Sequence, residues 1–291
     1  MKDLTDAFVE LIRRTSTDLP GDMELALRDA REFEAPGSAA QGALDTMLVN
    51  TEMSRRLSRP ICQDTGTPIF EVHYPVGWST RKLAEQIKQA VVIATEKAYL
   101  RPNAVDSISG ANSGNNTGEE FPTIHFHEWD EDAVQVDLML KGGGCENVGA
   151  QYSLPNAPLK AGRDLEGVRK VVLDAVQRAQ GQGCAPGVLG VAIGGDRGSS
   201  YAFSKQQLFR PLGDRNDDPE LAALEETIKE QANELGIGPM GFGGKTTVLD
   251  VQIDSLHRLP ASFFVSVSYM CWANRRRSMT ARGDGAEVTY Q

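Results

Sequence analysis

Apolar residues recur at helical spacing through the first sixty positions. Leu4, Phe8, Leu11 and Ile12 line one face, and Ala43, Met47, Val49 and Met53 mark a later helix that Arg59-Pro60 ends. The pattern then changes to a Gly/Thr/Pro turn, QDTGTP, and a strand-like run, IFEVHYPV. Leu83, Ile87, Val91, Ala94 and Ala98 return to the helical period between Thr80 and Leu100. Residues 101–121 carry no apolar periodicity and are rich in Gly, Asn and Ser, which predicts a long loop of functional kind. TIHFHEW and AVQVDLML flank the turn DEDA and predict a β-hairpin. KGGGCENVG follows as a glycine-rich loop.

Further along, a helix around 164–180 leads through GQGCAPG to the strand VLGVAIGG. The clearest helix covers 219–235. Asp218 is its N-cap, Pro219 its first residue, Leu221, Leu224, Ile228, Ala232 and Leu235 its face, and Gly236 its terminator. TVLDVQI and FFVSVSYM read as strands, the second delivering Cys271, and Trp272 to Gln291 reads as a short basic and polar tail. Helices and strands alternate irregularly, so the expected fold is mixed α/β: a helical N-terminal region, then helices packed on mixed sheets. No repeat, low-complexity tract or linker interrupts the chain. A single domain over 1–291 follows, with 1–60 as a mainly helical lead-in.

Composition narrows the function. The chain has 291 residues, 40% hydrophobic and 24% charged, which is the balance of a soluble globular protein. Its formal charge of −10 disfavours nucleic acid. No apolar run is long enough to span a membrane, and the amphipathic start, MKDLTDAFVELIRR, lacks the features of an export signal. A cytoplasmic setting is expected, with reduced thiols.

Several motifs match only by letters. Gly236–Gly241 spells GxGxxG, but a helix precedes it where the dinucleotide fingerprint needs a strand. GGKTT at 243–247 has Pro239 where a phosphate loop needs glycine, and Arg282-Gly-Asp284 is a chance tripeptide. His125 and His127 share one face of a strand; edge histidines of a polar hairpin are commoner than a metal pair.

Cys62, Cys145, Cys184 and Cys271 form no CxxC pair, which argues against a small zinc module and leaves buried, inert cysteines as one reading. Cys62, Cys184 and Cys271 nevertheless each stand where the chain bends, beside glycine, proline or polar turns. Soft thiolates at such bends suit zinc, copper or an iron–sulfur cluster. Arg101, the backbone of Gly142–Gly144 and Lys245 are candidate carboxylate binders.

ICQDTGTP, LRPNAV with NNTGEEFP, KGGGCEN, CAPGVLGVAIGG, LGIGPMGFGGKTT and MCWANRR occur in that order. They resemble the iron–sulfur hydro-lyases that include class I fumarate hydratase and the α subunit of L(+)-tartrate dehydratase, over roughly residues 40 to 280. Cys145 after the triple glycine and the segment FRPLGDRNDDPE make the tartrate dehydratase α chain the nearer likeness. The resemblance implies a [4Fe–4S] cluster on Cys62, Cys184 and Cys271, with Cys145 as a spare. It implies substrate binding by Gln63, Asp64, Arg101 and Gly144. Asp64 has two open roles, hydrogen-bonding a substrate hydroxyl or ordering a neighbour.

One position departs from the family pattern: Leu259 stands where these proteins usually carry histidine, and His257, two residues away, would face the same side of an extended strand. The expected function is the α subunit of a hydro-lyase acting on a small hydroxy-dicarboxylate, tartrate or malate/fumarate. The alternative is a catalytically impaired or regulatory paralogue that keeps the cluster. The resemblance also implies that the general base lies in a second domain or a separate β chain, so a β-type partner subunit is expected to supply it. Association of α chains, in an α₂β₂ assembly, is expected with it.

Overall fold

The computed structural model describes residues 3–282 and 287–291. It divides the chain into two compact units: Met1–Pro20, Val49–Gly143 and Ala273–Gln291 form the first, and Gly21–Leu48 and Gly144–Trp272 the second. Helices and mixed sheets make up both, as the sequence pattern predicts.

In the first unit, described residues form a five-stranded sheet in the order β2-β1-β3-β8-β9. The strands are β1 (Thr67–Pro75), β2 (Thr123–Trp129), β3 (Ala133–Lys141), β8 (Arg276–Arg282) and β9 (Glu287–Tyr290). Helices α1 (Thr5–Thr17) and α4 (Thr80–Glu96) enclose the apolar core with it. Phe8, Leu11 and Ile12 of α1 and Leu83, Ile87 and Val91 of α4 join Phe70, Val72, Val136, Leu138, Met279 and Ala281. Ser79 caps α4 by accepting the Lys82 N–H.

Two expectations fail here. TIHFHEW and AVQVDLML are strands but not a hairpin: β1 lies between them, parallel to β2 and antiparallel to β3. Alternation specifies which face a strand buries, not which strand lies beside it. The segment after Trp272 is no polar tail. Arg276–Arg282 pairs with β3 and with β9, burying Met279 and Ala281 between polar neighbours. Its charges mask a short half-buried alternation. The tripeptide Arg282-Gly-Asp284 ends outside the described residues.

The second unit holds a four-stranded sheet in the order β4-β7-β5-β6. The strands are β4 (Ala150–Ser153), β5 (Gly187–Ile193), β6 (Val248–Ser255) and β7 (Phe264–Met270). Helices α6 (Leu165–Ala179) and α8 (Pro219–Glu234) bury Val168, Val172, Leu224 and Ile228 against Val191, Val251, Val265 and Val267. The other face takes α7 (Arg197–Gln207), where Ser200 and Ser204 pair with Ser266 and Ser268 of β7, each at 2.8 Å. Alternate β7 residues thus serve two helix layers. Asp218 and Pro219 start α8, and Gly236, at φ 67°, follows its end.

Helices α2 (Gly21–Phe33) and α3 (Ala39–Leu57) complete the elements before β1. Met47 of α3 is buried together with Leu44, whereas Val49 and Met53, also singled out by the spacing, are exposed. No helix among the described residues is long and apolar enough to cross a membrane.

One buried carboxylate organises the second unit's rim. Glu225, fully buried, accepts from Arg210 at 3.0 Å, from the Ile253 N–H at 2.8 Å and from the Asn216 N–H at 3.1 Å. Glu225→Ala strands these donors and is expected to cost about 3 kcal/mol or more. Urea unfolding measures it, and a loss below about 0.5 kcal/mol would contradict the assignment.

Candidate active site

The first unit gathers the QDTG turn, the residues after Leu100 and the start of the triple glycine. Gly66 holds φ 79°, and a Cβ there would sit 2.7 Å from the Lys141 carbonyl group, so only glycine lets the turn lie on that backbone. Asp64 orders both partners: Oδ1 accepts from the Gly66 N–H at 3.0 Å and Oδ2 from the Gly143 N–H at 2.7 Å. Of its two open roles, the structure displays the ordering one. Thr65 is buried, and its hydroxyl oxygen accepts from the Arg101 N–H at 3.0 Å and the Asn103 side-chain amide at 3.1 Å. Arg101 is thereby fixed beside the turn, with its residue exposed.

The long loop that follows Arg101 is ordered without helix or strand. Asn116, fully buried, accepts from the N–H groups of Asn103 and Ala104, and side-chain turns at Asp106 and Asn112 hold the rest. Cys62 is half-buried and lies 3.6 Å from the Gln63 side-chain oxygen.

Sequence reasoning assigned no role to Arg275. This buried guanidinium donates to the Asp64 carbonyl at 2.9 Å, and the Arg275 carbonyl accepts the Leu140 N–H at 3.0 Å. A buried arginine ties the QDTG turn to β3. The signal was present in MCWANRR, but nothing in the letters says which arginine is buried.

The second unit brings Cys184 and Cys271 to neighbouring chain ends. Cys184 follows a 3₁₀ turn, Gln180–Gly183, in left-handed conformation, and Cys271 follows β7. Strand pairing sets Val188 opposite Met270, and the Trp272 N–H donates to the Cys184 carbonyl at 3.3 Å. Tyr269, also unassigned from sequence, lies at their centre. Burial pushes its hydroxyl well above the ordinary phenol range, and the charges of Cys271, Cys145 and Cys184 push it further. Cβ atoms on Gly183 and Gly187 would fall 2.5 and 2.3 Å from its ring. Gly144 has the Gln182 carbonyl as near neighbour, 3.7 Å from where its Cβ would be.

Other candidates have local partners. Lys245 donates to the Phe33 carbonyl at 2.9 Å, at the end of α2, and lies over the Phe33 ring. Residues 256–263 lie outside any strand, so His257 and Leu259 do not share a strand face as expected; both are exposed in a turn, Leu259 at 74%. His127 and His125 lie on edge strand β2, 2.6 and 4.0 Å from the carboxylate of buried Glu71.

Among the described residues no cysteine is in a disulfide. Among the described residues, no three His, Cys, Asp or Glu side chains converge on a single ion position. A polynuclear cluster makes a different demand, because its thiolates ligate separate irons. Two cysteines outside any disulfide, on backbone-linked bends with glycines beside them, fit that demand within the second unit.

The fumarate hydratase (fumerase) family model matches residues 5–280. A candidate class I fumarate hydratase from Geobacillus stearothermophilus is 50% identical over 95% of this chain, which spans only 54% of that protein's length. The L(+)-tartrate dehydratase subunit alpha of Escherichia coli is 33% identical, over 97% of this chain and 91% of its own. A candidate tartrate dehydratase subunit alpha from Methanocaldococcus jannaschii is 35% identical, over 94% of this chain and 95% of its own.

The Tyr269 cradle is directly testable. Gly187→Ala is expected to cost about 1–3 kcal/mol by overpacking. A compensating Tyr269→Leu should make the double variant less destabilised than the sum of the singles. Strict additivity in denaturant unfolding would place the ring elsewhere.

Proposed function

The chain belongs to the fumarate hydratase (fumerase) family, and on that premise we propose that it is the α-type component of an iron–sulfur hydro-lyase. It adds or removes water on a small hydroxy-dicarboxylate, tartrate or malate/fumarate. The observation that carries this reading is the placement of Cys184 and Cys271, neither in a disulfide, on bends joined by the Trp272 N–H.

Cys62, Cys184 and Cys271 would hold a [4Fe–4S] cluster. When bound, the cluster supplies a Lewis acid for substrate oxygens through an iron that no protein thiolate ligates. The chain's own residues bind and orient. Arg101 offers a planar guanidinium that matches a carboxylate with two parallel hydrogen bonds. The Gly144 N–H is a second carboxylate donor and Gln63 a neutral polar contact. Asp64 acts by holding the Gly143 N–H and the Gly66 turn, so its effect on substrate passes through the backbone. Cys145, buried, is the spare thiol.

The general base is assigned to a partner. One relative carries nearly as much chain again beyond the matched part, whereas two others are named as alpha subunits of similar length. That supports a β-type subunit, and an α₂β₂ assembly is proposed with it. Four cysteines outside any disulfide and a cluster with an open iron suit a reducing, cytoplasmic setting.

The test is turnover of tartrate, malate and fumarate by anaerobically purified chain, alone and with the β-type partner. Activity is expected only with the partner, and activity of the isolated chain would overturn the division of labour. Cys62→Ser, Cys184→Ser and Cys271→Ser should each remove the brown chromophore, and Cys145→Ser should keep it. Equal loss in Cys145→Ser would refute the ligand set. Arg101→Lys should lower kcat/KM about 10- to 1000-fold with folding intact, and wild-type kinetics would remove Arg101 from the site.

A further inference from the structure

The segment after Gly144 is tied to the second unit's sheet by side chains that neither the motifs nor the proposed reaction uses. Glu146 forms an ion pair with Lys205 of α7, Nζ to Oε1 2.6 Å. The Lys205 side chain is 26% exposed and that of Glu146 42%, so the pair is half-buried on the lysine side and open to solvent on the other. Tyr201, one helical turn earlier, lies beneath the same segment. A Cβ on Gly149 would fall 2.1 Å from the Tyr201 hydroxyl, so the backbone at 149 rests directly on the phenol. The Gly149 N–H in turn donates to the Glu146 carbonyl at 3.2 Å, closing the turn above it. Burial, then the charge of Glu146, pushes the Tyr201 phenol up to about 12, although a hydrogen bond to Ser268 opposes the shift. It stays protonated as a neutral support.

The helix beneath is immobilised on the strand that leads to Cys271. Asp196 and Ser199 cap α7 reciprocally, fixing its start. The buried Ser200–Ser266 and Ser204–Ser268 pairs fasten its inner face to β7. Gln151 of β4 donates to the Arg197 carbonyl at 2.8 Å and to Ser266 at 3.0 Å, joining the far end of the segment to the same frame. Thus α7 grips residues 144–149 through Tyr201 and Lys205 and grips β7 through the adjacent Ser200 and Ser204.

We infer that Lys205 and Tyr201 are positioning residues for substrate binding: through Glu146 and Gly149 they hold the backbone at Gly144 in fixed register with the strand that ends at Cys271. The inference rests on the proposed reading that the Gly144 N–H meets a substrate carboxylate. A donor gripping a carboxylate away from the reacting bond contributes equally to ground-state and transition-state binding. Its displacement therefore raises KM and spares kcat.

The experiment compares wild type, Lys205→Met, Lys205→Arg, Glu146→Gln and the double variant Lys205→Met/Glu146→Gln, each assembled with the β-type partner under anaerobic conditions. The probes are L-tartrate, malate and fumarate, and amide hydrogen exchange of residues 144–149 is measured on the same samples. Lys205→Met and Glu146→Gln should each raise KM about 10-fold or more with kcat within about 3-fold. The double variant should be no worse than either single. Lys205→Arg should restore KM, and exchange at 144–149 should quicken in the Met variant while β7 stays protected.

A wild-type KM in Lys205→Met, or a fall in kcat at unchanged KM, overturns the positioning role while the hydro-lyase reading stands. Wild type inactive on all three acids overturns the hydro-lyase reading instead. The clamp then stands or falls on exchange alone: unchanged protection at 144–149 refutes it, and faster exchange sustains it. If Lys205→Met fails to assemble, Glu146→Gln, which keeps the shape of the side chain, breaks the same ion pair and is read by the same two outcomes.

Discussion

Strand β7 is buried on both faces and paired on both edges, and most of the second unit's chemistry depends on that confinement. Val265, Val267 and Tyr269 point into the core with α6, while Ser266 and Ser268 meet α7 by hydroxyl pairs. β4 and β5 occupy its edges. A strand held in four directions delivers the residue that follows it, Cys271, with little freedom. The Trp272 N–H then fastens the Cys184 bend to the same point. Two thiols that have no local pairing in sequence become neighbours because one strand cannot shift.

The first unit solves a different problem with similar means. A polar turn must lie directly on a strand end, so it needs glycine at 66 and partners for its backbone donors and acceptors. Asp64, Thr65 and buried Arg275 supply those partners and simultaneously fix Arg101 and Gly143. Order at the Arg101 and Gly143 backbone comes from side chains 36 and 79 residues away in sequence.

Much of this was legible in the sequence where the signal is local. Asp218, Pro219 and Gly236 bracket α8 because capping chemistry acts within a few residues. The cysteine motifs mark bends, and both Cys184 and Cys271 lie at them. What was not legible depends on long-range pairing. β1 inserts between β2 and β3, and Thr65 reaches Arg101 across 36 residues, neither of which periodicity encodes. β8 escaped notice because Met279 and Ala281 are a short alternation among Ser278, Thr280 and Arg282, next to a run of arginines at 275–277. Lys205, Tyr201 and Tyr269 carry no motif; their roles appear only once α7 and β7 are seen against the loops they hold.

The central claim is that this chain's thiols carry a cluster with one iron open to a dicarboxylate. Mössbauer spectroscopy of anaerobically reconstituted, iron-57-labelled enzyme with its β-type partner tests it most directly. The account predicts about four irons per α chain, of which a single site changes its signal when tartrate, malate or fumarate is added. A preparation that takes up no cluster, or a cluster whose four sites are all indifferent to every one of these acids, would contradict it.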